Sequence, residues 1–236
     1  MKILALESSA VAASVAVSED SSLLAEMTID SGHTHSEILL PTVETLLSRL
    51  KLTIPDVDLF AVSAGPGSFT GVRIGVATVK GLAFRSGKPC VGVSSLEALA
   101  QNLAHLPNTL ICPVMNARRD QIYTALFRAD RGTLVRLLPD TAVAVAEWDG
   151  VLAAYGEPVA FCGDGYDLIV PRYSGTVFPI PSRLRLQSAA SVASVAYRMF
   201  CDGQAVTDSA LVPIYLRPSQ AERVRAEKEK KENQRL

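Results

Sequence analysis

The segment 65–71, Gly-Pro-Gly-Ser-Phe-Thr-Gly, has the composition of a ligand-binding loop. It stands between an apolar run typical of a buried strand and a run typical of a helix, where backbone N–H groups bind phosphate in many proteins. It lacks the Lys-Ser/Thr of a P-loop, and its third glycine comes one residue late for a dinucleotide-binding fingerprint. Pro66 also removes one N–H group from such a cradle. Phosphate binding and a tight turn with close helix packing therefore both stay open.

Other side chains capable of catalysis are few. The histidines are His33, His35 and His105, and neither a His-Glu-x-x-His motif nor a Gly-x-Ser-x-Gly nucleophile elbow occurs. The four cysteines are far apart and form no Cys-x-x-Cys pair, which predicts buried thiols in a reducing compartment. Asp164, in a Gly-Asp-Gly turn, is open to two interpretations, phosphate binding or a plain turn.

A charged group, Arg118-Arg119-Asp120, follows a predicted strand. The two arginines have three interpretations: they bind an anion, they pair with Asp120, or they belong to a solvated turn.

The composition is that of a folded protein without membrane spans. Of the 236 residues, 48% are hydrophobic and 20% are charged, which excludes a disordered chain. The net charge of −1 argues against general binding to nucleic-acid backbones by this chain alone. The first apolar run is too short for a signal peptide and no run is long enough to cross a bilayer, so we expect a cytoplasmic protein without membrane contact.

Apolar runs separated by polar turns predict the elements that position these residues. Strands at 2–6, 13–17 and 23–29 should form an antiparallel meander. A capping box from Thr34 to Glu37 marks the start of a helix that ends near residue 50. Strand 59–64, helix 72–84, strand 89–93 and helix 96–103 follow.

The second half repeats this order more loosely. We expect strands at 110–115, 122–127 and 134–145, a helix at 146–154, a strand at 159–161 and a helix at 188–200. This indicates a duplicated βββαβαβα unit. From residue 218 the sequence is charged, with six basic and four acidic residues, as in a solvated terminus.

The predicted helix 72–84 is apolar on all sides except for Arg73, Thr78 and Lys80. Such a helix must be covered on two faces, one by a sheet and the other by a helix or another protein. Gly71 and Gly75 lie four residues apart and mark a face that another backbone can approach closely. The sequence therefore predicts an apolar binding surface on this helix.

Three motifs carry a family resemblance: residues 2–9 (Lys-Ile-Leu-Ala-Leu-Glu-Ser-Ser), 65–75 (Gly-Pro-Gly-Ser-Phe-Thr-Gly-Val-Arg-Ile-Gly) and 80–83 (Lys-Gly-Leu-Ala). Shorter matches occur at 92–96, 117–119 and 215–217. Together they resemble the TsaB (YeaZ) family of bacterial tRNA threonylcarbamoyladenosine biosynthesis subunits, nearly end to end as far as residue 218. Asn116 departs from the aspartate that this family often has.

The resemblance implies an α/β, actin-like (ASKHA) fold of two RNase H-like lobes, in agreement with the duplicated unit. The N-terminal lobe, 1–106, would carry the partner-binding helices. A smaller C-terminal lobe would span 107–217, and a charged tail 218–236.

The implied function is that of a non-catalytic subunit in a complex with TsaD, TsaE and TsaC. TsaC makes threonylcarbamoyl-adenylate, and TsaD transfers the group to form N6-threonylcarbamoyladenosine at position 37 of tRNAs that read ANN codons. The tRNA would be bound mainly through the complex.

The family comparison also implies that this chain holds no metal and no catalytic residue. The metal-binding His-x-x-x-His of TsaD falls on Ser95 and Leu99, which cannot hold iron or zinc in that geometry. The turn after Glu7 has no glycine, so its backbone approaches a phosphate less closely. The chain alone is expected to bind no cofactor, and ATP or ADP is a candidate ligand at the interface with TsaD.

The family's contact with TsaD pairs the first two helices of each N-terminal lobe, which correspond here to 36–50 and 68–84. The same surface can support a homodimer when TsaD is absent. The residues expected at this interface are Leu39, Val43, Leu47, Gly71, Arg73, Ile74, Ala77, Lys80, Gly81 and Phe84.

An autonomous ATPase or small-molecule kinase of the ASKHA class is the alternative. It would bind a nucleotide between the lobes, at Glu7, Gly65, Gly67, Ser68 and Asp164. A metallopeptidase, which an older glycoprotease label for the family suggests, is disfavoured by the small number of histidines.

Overall fold

The computed structural model describes residues 1–32 and 34–217. His33 and the charged tail 218–236, for which we made sequence predictions, lie outside the described residues. The described chain is α/β, with two mixed sheets covered by helices. In these residues no helix combines the length and the apolar character needed to cross a bilayer.

The first sheet has five strands in the order β3-β2-β1-β4-β5. The bounds are β1 (Lys2–Glu7), β2 (Ala13–Glu19), β3 (Ser22–Ile29), β4 (Leu59–Gly65) and β5 (Cys90–Ser94). The first three strands form the predicted antiparallel meander, while β4 is parallel to β1 and β5 is parallel to β4. Because β1 and β4 are almost entirely buried, both faces of the sheet must be covered.

Two helices cover one face of this sheet and a third covers the other. Helices α1 (His35–Leu50) and α2 (Phe69–Ala83) contact each other and pack on the face that carries Leu4, Leu6 and Phe60. Helix α6 (Ala189–Cys201) packs on the opposite face, against Ile3, Ala5 and their neighbours. This alternation along β1 follows from the two-residue period of a strand.

The starts of α1 and α2 are both set by capping residues. The Thr34 N–H and hydroxyl both donate to the Glu37 carboxylate, at 3.1 and 2.8 Å, and the predicted capping box is present. Helix α2 begins at Phe69, and the prediction of a loop as far as residue 71 was wrong. The Ser68 hydroxyl accepts the Gly71 N–H at 3.3 Å and so starts the helix three residues early.

The second sheet has four strands in the order β8-β7-β6-β9. These strands are β6 (Thr109–Asn116), β7 (Gln121–Asp130), β8 (Thr133–Ala144) and β9 (Val159–Cys162). Helix α3 (Ser95–Gln101) precedes them, α4 (Val145–Ala153) precedes β9, and the short α5 (Tyr166–Ile169) follows it. No fifth strand joins this sheet in the described residues, so duplication of the complete unit is not confirmed. The lobe boundary at 106/107 stays a prediction.

Residues 204–217, which we call the C-terminal strap, return from α6 along the first sheet. Val206 exchanges two backbone hydrogen bonds of 2.8 Å with Cys90. The Lys80 ammonium donates to the carbonyls of Ser209 and Leu211 at 3.1 and 3.0 Å. The Ile214 N–H then donates to the Ala64 carbonyl at 2.6 Å. The strap therefore connects the first sheet with Lys80 on α2.

Gly65 is required where the strap crosses β4. Its φ is +118°, and an added Cβ atom would lie 2.2 Å from the Ile214 carbonyl oxygen. We expect Gly65→Ala to lower the free energy of unfolding by about 3 kcal/mol, from strain and overpacking together. Gly87→Ala, at φ +68° with open space around the new atom, should cost only roughly 1 kcal/mol. Urea unfolding measures both values, and equal losses would contradict a contact with the strap.

Candidate functional site

A cavity of about 490 Å³ lies between the two sheets, at the carboxyl ends of β1, β4 and β6. The carboxyl ends of parallel strands are where open α/β sheets bind ligands. The wall is formed by the turn after β1, the loop before α2, the β6–β7 hairpin and the end of the strap. Its polar and aromatic members include Ser9, Ser68, Phe69, Asn116, Arg118, Tyr123, Asp164, Tyr215 and Arg217.

The structure separates the residues predicted to bind a nucleotide into two groups. Gly67, Ser68 and Asp164 line the cavity. Glu7 is buried outside the lining, and Gly65 packs against the strap. Three of the five predicted residues therefore lie at one site. Nucleotide binding at this site stays a prediction.

The Glu7 carboxylate is held at the end of β1 by hydroxyl and N–H groups. It accepts the Ser9 N–H and the Ser9 hydroxyl, each at 2.6 Å, and also the Ser63 hydroxyl. Burial raises the pKa of Glu7 above its ordinary value, although these hydrogen bonds oppose the effect. As a result, the Ser9 N–H, which belongs to the turn that would face a phosphate, is already used.

The loop before α2 is packed directly onto the same turn. The Ser68 N–H donates to the Ser9 carbonyl at 2.7 Å. A Cβ atom on Gly67 would lie 2.3 Å from that carbonyl oxygen, so the backbones touch there. These contacts favour the close-packing interpretation of the glycine-rich segment over a phosphate cradle built from these two N–H groups.

Asp164 faces the cavity in the turn after β9. Its side chain is accessible from the cavity, yet the surrounding protein raises the pKa of its carboxyl group, while the Asn116 N–H opposes this rise. The carboxylate and Asn116 thus form a polar wall of the cavity. A carboxylate in this position can accept a hydrogen bond from an amino group of a ligand.

The positions that correspond to a metal-binding pair in TsaD lie on α3. Ser95 is buried, and Leu99 belongs to the apolar core beside Ile111. Within residues 1–32 and 34–217, no three His, Cys, Asp or Glu side chains are grouped so that they could hold a metal ion.

Three of the four cysteines are buried, as predicted, but Cys201 is exposed because it ends α6. Burial raises the pKa of the Cys90 and Cys112 thiols to about 11 and that of Cys162 well above its ordinary value. These three thiols therefore stay protonated at neutral pH and are poor nucleophiles.

The predicted partner interface divides into buried and exposed residues. Leu39, Val43 and Leu47 belong to the core under α1, and Gly71 packs on the Ser8 carbonyl. The exposed residues form one ridge along α2, which consists of Arg73, Ala77, Gly81 and Phe84, with Ile74 and Lys80 half-buried beside it. Gly71 and Gly75 allow the close approach of the β1–β2 turn, as their spacing predicted, whereas a Cβ atom added to Gly81 would meet nothing within 4 Å.

Sequence reasoning missed two exposed residues on the elements around α2. Leu40 on α1 is 44% exposed, although its neighbour Leu39 is buried. Tyr215 of the strap lies at the start of α2: its ring stacks on Phe69 with centroids 4.9 Å apart, and its hydroxyl accepts from Arg73 Nε at 2.7 Å. The Arg73 guanidinium lies 3.7 Å above the Phe69 ring. Helical phase could have separated Leu40, but no local signal indicates Tyr215.

The β6–β7 hairpin contains three consecutive residues in left-handed backbone conformation. Arg118, Arg119 and Asp120 have φ values of 64°, 54° and 59°. Such a conformation costs roughly 1–2 kcal/mol for each non-glycine residue. Asp120 pairs with Arg172, so the interpretation in which Arg118 and Arg119 pair with Asp120 was wrong.

The sequence is similar to proteins of tRNA threonylcarbamoyladenosine biosynthesis. The family model described as "TsaD: tRNA N6-adenosine threonylcarbamoyltransferase" matches residues 24–179. A protein of Bacillus subtilis named "tRNA threonylcarbamoyladenosine biosynthesis protein TsaB" is 38% identical over 69% of this chain and 71% of its own length. The Escherichia coli protein of the same name is 30% identical over 92% of this chain and 95% of its own length.

The fold is also similar to that of solved protein structures. YeaZ from Pseudomonas aeruginosa superposes with a TM-score of 0.77 at 29% identity, over 91% of this chain and 99% of that one. Together with the family match, this confirms the predicted α/β, actin-like fold class.

The buried Glu7 carboxyl makes stability depend on pH. Its folded-state pKa lies above the ordinary value of 4.5, so the folded chain binds the extra proton more tightly. The resulting stability is fully present below pH 4.5 and is lost as pH rises through the folded pKa. Urea unfolding should show that, as pH rises through that window, the free energy of unfolding of Glu7→Gln increases relative to that of the wild type by about 1.4 kcal/mol per pH unit. The control Glu19→Gln, at an exposed ion pair, should not, and parallel curves for Glu7→Gln and wild type would refute this account.

Proposed function

The chain belongs to the TsaB family of tRNA threonylcarbamoyladenosine biosynthesis proteins, and we propose that it is the non-catalytic subunit that binds and supports TsaD. The complex would form N6-threonylcarbamoyladenosine at position 37 of tRNAs that decode ANN codons, in the cytoplasm and with TsaE as a further member. The tRNA would be bound mainly through the complex.

The observation that carries this proposal is the uncovered outer ridge of α2. Its inner side is packed into the first lobe, while Ala77 and Gly81 are exposed and Phe84 is 67% exposed. Small residues on this ridge let the backbone of another helix come close, and Phe84 supplies apolar area at its end. With α1 beside it, α2 offers one half of a four-helix contact. A second copy of this chain would use the same ridge when TsaD is absent.

The ridge is held in place at both ends of α2. Near its start, Arg73 is fixed between the Phe69 ring and the Tyr215 hydroxyl. Near its end, Lys80 donates to two strap carbonyls. A preordered ridge loses less conformational entropy on binding, so these contacts support a docking role for α2.

The non-catalytic part of the proposal is supported by the chemistry of the cavity. The Ser9 and Ser68 N–H groups are used by protein acceptors. Ser95 and Leu99 replace the pair of histidines that would bind a metal in TsaD. We therefore assign no catalytic residue to this chain, and we place ATP or ADP, if one is bound, at the interface with TsaD.

An autonomous ATPase or small-molecule kinase is the second candidate, and the cavity between the sheets favours it. Gly67, Ser68 and Asp164 meet there in a volume of about 490 Å³. Calorimetry of the isolated chain with Mg–ATP separates the two proposals. We expect no binding tighter than about 1 mM, and micromolar binding would favour the kinase.

The ridge is tested by Ala77→Glu. A charge that becomes buried without a partner should weaken the complex with TsaD at least about a hundredfold. Size-exclusion chromatography with light scattering should show a one-to-one complex for the wild type and separate components for the variant.

The matched control is Ala153→Glu, the same change at an exposed position of α4 on the second lobe. It should leave the complex intact. Co-elution of Ala77→Glu with TsaD, or loss of the complex with both variants, would contradict the assignment of the ridge.

A further inference from the structure

Arginines that the proposed docking ridge does not use lie in the cavity wall and beside it. Arg118 and Arg217 line the cavity, and Arg217 Nη1 donates to the Ala117 carbonyl at 3.1 Å, which brings the strap to the β6–β7 hairpin. Arg119 is exposed next to them. We call Arg118, Arg119 and Arg217 the arginine rim.

Several other surface arginines of the described chain form ion pairs with carboxylates, whereas the arginines of the rim do not. Across the described residues Arg118, Arg119 and Arg217 form no ion pair, whereas Arg128 pairs with Glu157 and Arg172 takes the neighbouring Asp120. Asp164 shares the cavity with Arg118, and the Arg118 charge acts to lower the pKa of the Asp164 carboxyl, but the two form no direct ion pair. A cluster of unpaired guanidinium groups is suited to phosphate, which accepts two parallel hydrogen bonds from one arginine.

The hairpin holds two of these arginines in a costly backbone conformation. The Arg118 N–H donates to Asn116 Oδ1 at 2.8 Å, and the Gln121 N–H donates to the Arg118 carbonyl at 3.2 Å. These bonds maintain left-handed backbone at Arg118 and Arg119, which asparagine or glycine would adopt more easily. Backbone strain of this kind is found more often at ligand-binding sites, where the contact that the side chain makes with the ligand outweighs the conformational cost of the turn.

Aromatic rings lie beside the rim. Tyr215 is 43% exposed and stacks on Phe69, while Tyr123 lies on the hairpin strand β7; all three rings line the cavity. Unstacked RNA bases bind by stacking on such rings, with arginines along the phosphate backbone.

We propose that the arginine rim and the adjoining aromatic rings bind an unpaired strand of tRNA while the chain is in complex with TsaD. This inference rests on the proposed function. Arg118, Arg119 and Arg217 contact successive phosphates, and one base enters the cavity beside Tyr215 and Tyr123. The Asp164 carboxylate is available there to accept a base amino group.

Two observations favour a strand over a free nucleotide. The Ser9 and Ser68 N–H groups, which would hold a polyphosphate inside the cavity, are occupied. Arg118 and Arg217 belong to the cavity lining while Arg119 lies outside it and is exposed, so the three cations extend beyond the cavity that would enclose a free nucleotide. The sequence beyond Arg217 adds six basic and four acidic residues.

The test compares Arg118→Gln/Arg119→Gln with Arg131→Gln. Arg131 is also exposed and left-handed, with φ 49°, but it lies beyond Asp130 at the opposite end of β7. Each full-length variant is combined with TsaD, complex formation is checked by light scattering, and an unmodified fluorescent tRNA transcript that reads an ANN codon is titrated at several salt concentrations.

The double variant should bind the transcript at least about tenfold more weakly at 0.1 M salt, and its salt slope should fall by about 1.5 for two lost phosphate contacts. Arg131→Gln should match the wild type. Arg118→Lys/Arg119→Lys should retain most of the salt slope, because the charge is kept.

Unchanged affinity and slope in the double variant would overturn the inference. It would also be overturned if the double variant lost binding of Mg–ATP by the isolated chain while it kept binding of the transcript. If the double change disturbs the complex, Arg119→Gln alone gives the test, since no described contact uses that side chain. If wild-type chain and TsaD form no complex, the proposed function fails, whereas an intact complex whose double variant binds the transcript like the wild type overturns the rim alone.

Discussion

The structure depends on the close approach between α2 and the turn that follows β1. Cβ atoms added to Gly67, Gly71 and Gly75 would lie 2.1–2.4 Å from atoms of Ser8 or Ser9. Three glycines at intervals of four place side-chain-free positions on one side of the helix and its entry loop. The Ser8 hydroxyl closes this contact by donating to the Gly71 carbonyl at 2.9 Å. A glycine pattern that resembles a phosphate loop thus allows α2 to pack closely against this turn.

This contact between α2 and the β1–β2 turn determines which backbone groups beside the cavity are already hydrogen-bonded. It uses the Ser9 carbonyl and the Ser68 N–H, and it covers the buried Glu7 carboxyl that holds the Ser9 N–H. It also fixes which side of α2 faces outward, so Ala77 and Phe84 stay uncovered. The strap then links the start of α2 to the cavity wall, because Tyr215 stacks on Phe69 and Arg217 donates to the Ala117 carbonyl in the β6–β7 hairpin.

Local signals in the sequence predicted most elements, since each has a capping residue or an alternating apolar pattern within a few residues. The Thr34–Glu37 capping box and the opening meander are examples. The site was predicted less completely, because its assembly depends on contacts between distant segments. Arg73, for example, meets Tyr215 across 142 positions of the chain. The glycines suggested a ligand, whereas the space beside them is filled by Ser8 and Ser9.

The most direct test of the central claim is hydrogen–deuterium exchange of the full chain, alone and with TsaD. A subunit that docks through the α2 ridge should show slower exchange in α1 and α2 when TsaD is bound, with α4 unchanged. Protection confined to the cavity wall at Asn116 and Asp164, or to the second sheet, with α2 unaffected, would contradict docking through this ridge.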